Sequence, residues 1–568
     1  MPMTPPRPLP PGRRPEAAIL TPRRGRNTVD SATANRGFLA RAALITASLS
    51  AAGSVFGLVR DQSLARMFGA DEETDAFLVA WTVPEFAATL LVEDGLALVL
   101  IPAFSSALAL RARGAAGDPV RSLAVATFPR LCLGLVAISA VLAAGAPHVV
   151  RILAPGLMNP ALAVDCTRMT ATCVLTFGIA GYCSAFLRAH GRFLPPAAIY
   201  VAYNAGIITT MLLLGGTLGV RAAAVGVAVG GCLMAAVQLP FVVRQLRMRP
   251  SAADARNVTR TKARPVPFVL IGTVLLFALC RQSQVLIERF LASALPSGAI
   301  SGLNYAQKVA QIPMTLSLML CTVTFPVVAR ALADGDVQRA RTRIERDLAL
   351  ASCLVLLGAA VVISCAPQIV GLLFERGAFT AQDTAATADI LRVYAVGLLG
   401  QTLVGVLIRS YFSTGRPTWY PIGAMAAGLV ATFAIGAGTS DFWGAPGIAA
   451  ANAVGITLTA ALLLTGLSGV PKLPVRSAPR SRSRGVPIHV PRMLGELGRL
   501  ALAAAAATAG GVFAGNVTAS PVGGLTAGGV TVITVFLLIG RLLDTQGCTA
   551  LLRSARSLTQ RLTHGHSA

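Results

Sequence analysis

Apolar runs of about twenty residues, separated by short polar or basic stretches, recur along the chain from residue 38 to residue 540. Stretches such as Leu131–Ala144 and Leu354–Cys365 have no polar face, so the surface helices of a soluble protein are excluded. Runs of this length cross about 30 Å of hydrocarbon as helices. The pattern predicts fourteen spans: 38–60, 74–110, 131–145, 167–188, 194–215, 219–243, 266–289, 299–329, 347–371, 389–408, 417–438, 445–467, 495–515 and 521–540. Two of them, 74–110 and 299–329, are too long for straight single helices and carry a proline or a charge midway, which predicts bends or extensions beyond the membrane.

Composition agrees with the pattern. Only 13% of residues are charged and 54% are hydrophobic, with mean hydropathy +0.67; soluble domains carry about 25% charged residues. The net charge of +25 is unevenly spread. With the N-terminus inside, most Lys and Arg fall in cytoplasmic segments, and the external loops hold only Arg66, Arg151 and Arg376. The excess therefore reads as topology and attraction to anionic lipid rather than nucleic-acid binding, and both termini are expected in the cytoplasm. No CxxC, GxSxG or HExxH occurs, so neither a metal site nor an enzyme is expected.

The chain also repeats. "APHVVRIL" at 146–153 returns as "APQIVGLL" at 366–373, "IPAFSSAL" at 101–108 as "FPVVARAL" at 325–332, and Gly191-Arg192 as Gly415-Arg416. The order is kept at an offset of 220 to 224 residues. Six spans per repeat give two copies of the same orientation, an arrangement that holds substrate between the copies in transporters. The expected fold is an all-α polytopic membrane protein of about 14 transmembrane helices, with two parallel six-helix lobes and two extra C-terminal helices. Its expected divisions are a disordered basic tail (1–37), an N-lobe of spans 1–6 (38–243), a basic linker (244–265), a C-lobe of spans 7–12 (266–467), a second basic linker (468–494), spans 13–14 (495–540) and a cytoplasmic tail (541–568).

Charges inside spans are expensive and mark function by default. Arg281, Gln284 and Glu288 in span 7 stand at i, i+3 and i+7, one helical stripe expected to face a watery cavity. Lys308 lies about two turns into span 8, and span 2 carries Glu85, Glu93 and Asp94, with Pro84 placed to kink the helix. Arg60 and Asp75 bracket a dense charged stretch, "LVRDQSLARMFGADEETDAFLVAW", between spans 1 and 2.

That stretch, with "ILAPGL", "GRFLPPAAIYVAYN", "LASALPSGAISGLNYAQKVAQIP" and "LLFERGAFTAQDTAATADILRVYAVGL", resembles the MurJ (MviN) family of lipid II flippases, in the multidrug/oligosaccharidyl-lipid/polysaccharide exporter superfamily. The resemblance runs from about 38 to 467; spans 13–14 match in number rather than in motif. It implies a carrier that moves a polyprenyl-diphosphate-linked peptidoglycan precursor from the inner to the outer leaflet by alternating access, its diphosphate bound by cavity arginines. Arg60 matches one such arginine, Asp75 the acidic residue opening span 2, and Glu93 the family's "AEG" glutamate. Three other expected cations are absent, at Ser54, Ala88 and Thr89, and Lys308 stands for an arginine, keeping the charge without the bidentate fork.

The expected substrate-binding set is thus Arg60, Asp75, Glu85, Glu93, Arg281, Gln284 and Lys308, with Arg281 as a compensating cation. Glu288 is the candidate for ion coupling. No cofactor is expected; the membrane potential or a coupling ion supplies the drive, and sodium is disfavoured because span 11 (422–438) offers no acid or amide. Expected partners are the lipid-linked substrate, membrane lipids, and cell-wall synthesis or division proteins. Two alternatives stand beside lipid II flipping: a flippase for another polyprenyl-diphosphate-linked saccharide, and a largely non-transporting cell-wall scaffold.

Overall fold

The computed structural model of the chain describes residues 27–93, 95–113, 118–247, 268–333, 336–412, 418–467, 488–518 and 520–553. The expected tail and linkers lie largely outside these residues, as do Asp94 and the Gly415-Arg416 copy of the repeated dipeptide. Every element assigned to them is helical, the form in which a chain in hydrocarbon satisfies its own backbone.

The first half comprises α1 (Asn27–Phe68), α2 (Glu72–Ala80), α3 (Thr82–Ala87), a π-helical stretch (Ala88–Glu93), α4 (Gly95–Ala112), α5 (Pro119–Ala144), α6 (Ala146–Leu153), α7 (Pro160–Ala171), α8 (Cys173–Ala189), α9 (Leu194–Leu218) and α10 (Arg221–Arg247). The second comprises α11 (Phe268–Ala292), α12 (Ala299–Ala333), α13 (Val337–Ser364), α14 (Ala366–Phe374), α15 (Ala381–Val396), α16 (Leu398–Phe412) and α17 (Tyr420–Gly466). Two more helices follow, α18 (Val490–Asn516) and α19 (Pro521–Leu542). Among the described residues, nine helices or short helix series are long and apolar enough to cross a membrane, ten if the bent α15–α16 pair is one span. The longest, α17, contains two of the fourteen expected spans. Helix α1 begins at Asn27, inside the segment expected to be a disordered tail.

The expected bend in 74–110 is a series of breaks at Trp81 and through the π-helical stretch, which re-aims the residues on either side of Glu85. The repeat is visible in the backbone. Short helices α6 and α14 each open on Ala-Pro, where a missing N–H is harmless at a helix start. Gly219, between α9 and α10, has φ 58° and ψ −143°; Gly444, inside α17, has φ 60° and ψ −142°. Both corners need a residue without a Cβ, and they lie 225 positions apart, close to the offset of the sequence matches.

The halves share a core in which Phe77, Leu78 and Val79 join Ile300, Leu303 and Tyr305, all buried. Helices α18 and α19 pack on each other and on α13. The entry to α18 is fixed where the His489 N–H donates to Glu345 Oε1 at 2.8 Å, and Ser364 Oγ donates to the Thr508 carbonyl at 3.1 Å.

Candidate functional site

Hydrogen bonds between the halves cluster at one end of the bundle. Asp75, on the first turn of α2, is 5% exposed and acts as a cap for α12 in the other half. Its Oδ2 accepts the Gly298 N–H at 2.9 Å, and its Oδ1 accepts the Ser301 N–H at 2.7 Å together with the Ser301 hydroxyl. These are the orphan donors of a helix start, which a carboxylate satisfies and whose dipole it complements. Ser297 Oγ donates to Asp71 at 3.1 Å, Gly156 N–H to Ser293 Oγ at 3.3 Å, and Ala378 N–H to the Arg66 carbonyl at 2.9 Å. The last approach leaves no room for a side chain at Gly377, where a Cβ would overlap the Arg66 carbonyl oxygen. The motifs that carry the family resemblance therefore meet one another here.

A second cluster lies deeper. Glu85 on α3 receives Arg289 Nη2 at 3.0 Å on one carboxylate oxygen and Lys308 Nζ at 3.5 Å on the other. Arg289 also donates to the Thr82 hydroxyl. Both cations come from the second half and both acceptors from the first. Side-chain exposure is 5% for Arg289, 16% for Glu85 and 27% for Lys308, so these charges meet out of bulk solvent.

Arg60 is held by its own neighbour. Its Nε and Nη2 donate to Asp61 Oδ1 at 2.9 and 2.6 Å, Nη1 donates to Asn204 Oδ1 at 3.1 Å, and the guanidinium lies 4.5 Å from the Trp81 ring. Asn204 is oriented in turn, its amide donating to the carbonyls of Gly53 and Tyr200. The first half thus builds a rigid mount for one cation.

The span-7 stripe divides. Glu288 is buried and accepts from the Tyr394 hydroxyl at 2.8 Å and from the Asn452 amide, while Gln284 donates to Asn452 Oδ1 at 2.6 Å. Arg281, about two turns back along α11, is exposed. The expectation of a single watery stripe is corrected: 281, 284 and 288 do share a helical face, but its Gln284 and Glu288 end is packed on α15 and α17. The amide beside Glu288 comes from span 12, after the Gly444 corner, and not from span 11. Arg281 likewise takes no part in the Glu85 cluster, whose cations are Lys308 and Arg289, one residue past Glu288. Glu93 stands apart, exposed at the end of the π-helical stretch, and accepts from the Tyr200 hydroxyl at 2.9 Å.

The candidate set drawn from the sequence lacks Arg289, Asp61, Asn204, Tyr394 and Asn452. Asn204 and Asn452 carry a usable signal, a lone amide in the middle of an apolar run. Arg289 carries none, since a charge in the last position of an apolar run reads as the membrane boundary. Arg60 is thus paired with Asp61 inside the first half, while Arg289 and Lys308 of the second half share the single carboxylate of Glu85. Two voids of about 10 Å³ flank Asn304, one lined by Arg60, Asp61 and Trp81, the other by Glu288, Arg289 and Gln307. Each has room for about one water. Among the described residues no group of three or more His, Cys, Asp or Glu is placed to hold a metal ion.

The model of the family described as lipid II flippase MurJ matches residues 64–472. The chain is 28% identical over 445 residues to the lipid II flippase MurJ of Burkholderia cenocepacia, covering 76% of this chain and 84% of that one. It is 26% identical over 448 residues to the probable lipid II flippase MurJ of Vibrio cholerae, covering 76% and 83%. Its fold is similar to a lipid II flippase MurJ in an inward closed conformation, with TM-score 0.66, 18% identity and coverage of 88% and 98%. It is also similar to an inward-facing multidrug resistance MATE family transporter of the MOP superfamily, with TM-score 0.58, 14% identity and coverage of 74% and 96%. A family model matched over most of the chain, on a multi-pass helical bundle with a polar seam between repeated halves, shows that this protein belongs to the MurJ family of lipid II flippases.

Proposed function

We propose that this protein carries lipid II, the lipid-linked peptidoglycan precursor, from the inner to the outer leaflet by alternating access between its two halves. The observation that carries the reading is the meeting of Arg60, Arg289 and Lys308, with their carboxylates, at the seam of a MurJ family fold. A diphosphate-sugar headgroup cannot cross hydrocarbon unaided, whereas cations buried between separable halves offer it a counter-charge along the way. The polyprenyl tail stays in the bilayer. The work asked of the protein is binding and rearrangement.

Asp75 and its neighbours form the external seal of this cycle, and both termini face the cytoplasm. The membrane potential assists, at about 2.3 kcal/mol per charge per 100 mV, by favouring outward movement of an anion. Complementation of a strain depleted of its lipid II flippase tests the reading, comparing wild type with Arg60→Ala and Asp75→Ala at matched membrane expression. Rescue by the wild type and loss in both variants is expected. A well-inserted wild type that fails to rescue in several hosts would rule lipid II out as the cargo.

A further inference from the structure

The Glu85 cluster differs from an ordinary structural ion pair in three ways. Both oxygens of one carboxylate are occupied by two different cations, Arg289 and Lys308, which lie on separate helices of the opposite half. A third cation, Arg60, is within electrostatic reach of the same carboxylate. Finally, the voids beside Arg60 and Arg289 hold about one water each, so neither admits a diphosphate with Glu85 in place.

Two consequences follow. Room for a headgroup beside these cations requires the seam to part there, which pulls Arg289 and Lys308 off Glu85. Those cations would then stand partly desolvated without a counter-ion, a strongly unfavourable state. A diphosphate supplies what Glu85 supplied and more: several anionic oxygens, a planar edge for the Arg289 fork and a point charge for Lys308.

We propose that Glu85 is a built-in counter-ion occupying the diphosphate site of the empty carrier, and that Arg289 with Lys308 binds the substrate diphosphate once Glu85 is displaced. The inference rests on the flippase reading above and adds to it a binding residue, Arg289, and a mode of control. The empty protein keeps its halves latched at mid-depth by Glu85. An anionic headgroup unlatches them by replacing that carboxylate, so opening is tied to cargo. A neutral or cationic amphiphile cannot make the exchange. The latch therefore also selects by charge.

The test uses the full chain in detergent micelles, titrated with farnesyl diphosphate as a soluble polyprenyl-diphosphate probe and with farnesol as the uncharged control. Calorimetry gives affinity, and thermal unfolding is followed in parallel. Glu85→Gln keeps an oxygen acceptor but removes the competing charge; it is expected to tighten farnesyl diphosphate binding about tenfold. Arg289→Gln is expected to weaken it about tenfold, and Arg289→Lys to bind within about threefold of wild type. Farnesol binding should be indifferent to all three. A merely structural strut predicts something else: lowered unfolding temperatures for Glu85→Gln and Arg289→Gln, with diphosphate affinity unchanged. That outcome overturns the exchange. Should Arg289→Gln fail to fold, Glu85→Gln alone decides, since tighter binding from loss of an anion has no structural explanation. If the wild type binds no farnesyl diphosphate and does not rescue a flippase-depleted strain, the flippase reading falls and takes the exchange with it. Binding and rescue together with an unchanged Glu85→Gln affinity removes the exchange alone.

Discussion

Two carboxylates, Asp75 and Glu85, reach from the first half of the molecule into the second, and they do so by opposite chemistry. Asp75 takes neutral donors, two backbone N–H groups and a hydroxyl at the start of α12. Glu85, about 15 Å further along the chain if the rise is helical, takes two full cations. The Asp75 contact is satisfied, helix-capping and sealed among loops that interlock at Gly377 and Gly156. The Glu85 contact is an ion cluster whose members keep their charge when it breaks. One contact is therefore suited to closing an end, and the other to being exchanged for a different anion.

The largest effect is expected at Glu85. Glu85→Ala leaves Arg289 buried without its partner and should destabilise the protein by about 3–5 kcal/mol. Reversible unfolding in mild detergent and denaturant measures it; a loss below about 1 kcal/mol would mean that the cluster is wet and the contrast with Asp75 empty. Asp75→Asn comes next. It keeps one acceptor and loses the charge at the helix start, which should cost about 1–3 kcal/mol and loosen the contact between the halves. Thiol labelling of Ser293→Cys, a buried position against Gly156, should then speed up in the variant, and unchanged labelling would remove Asp75 as the closing contact.

Glu288 adds a third carboxylate to the contrast, because the donors that meet it are a hydroxyl and an amide from its own half. Asn452→Ala removes a donor from Glu288 and the partner of Gln284, for an expected loss of about 1–2 kcal/mol in the same unfolding measurement, without a change in diphosphate affinity. The smallest effect is expected at Arg281→Gln, within about 0.5 kcal/mol and with transport intact, since the side chain is exposed and takes no part in the Glu85 cluster. A large transport defect there would restore Arg281 as a cavity cation.

Arg60, Asp75, Glu85 and Lys308 are all recognisable in the sequence as costly charges in or beside apolar runs. Glu288 is too, but its surroundings are not: helical periodicity gives the face of α11 without giving what packs on that face. Arg289 illustrates the limit more sharply. At the end of an apolar run it looks like an anchor at the membrane surface, and its burial becomes evident only when the break at Trp81 carries Glu85 and Thr82 against α11. The repeat is legible in short motifs, while its firmest mark, the matching backbone at Gly219 and Gly444, needs coordinates, because a glycine's φ is not written in its neighbours.

An all-helical, multi-pass bundle of two similarly ordered halves follows from the order of residues alone. In hydrocarbon the backbone must satisfy itself, so the length and hydropathy of each run suffice to define a span. For Arg60, Asp75, Glu85, Glu288 and Lys308 the significance of the charge also follows, because burying any one of them is costly wherever it ends up; for Arg289 it does not. Which carboxylate answers which cation is a matter of packing. Glu85 is separated from Arg289 by 204 positions and from Lys308 by 223. The strength of a charge pair depends on its spacing and on the water around it, and neither is a property of residues taken one at a time.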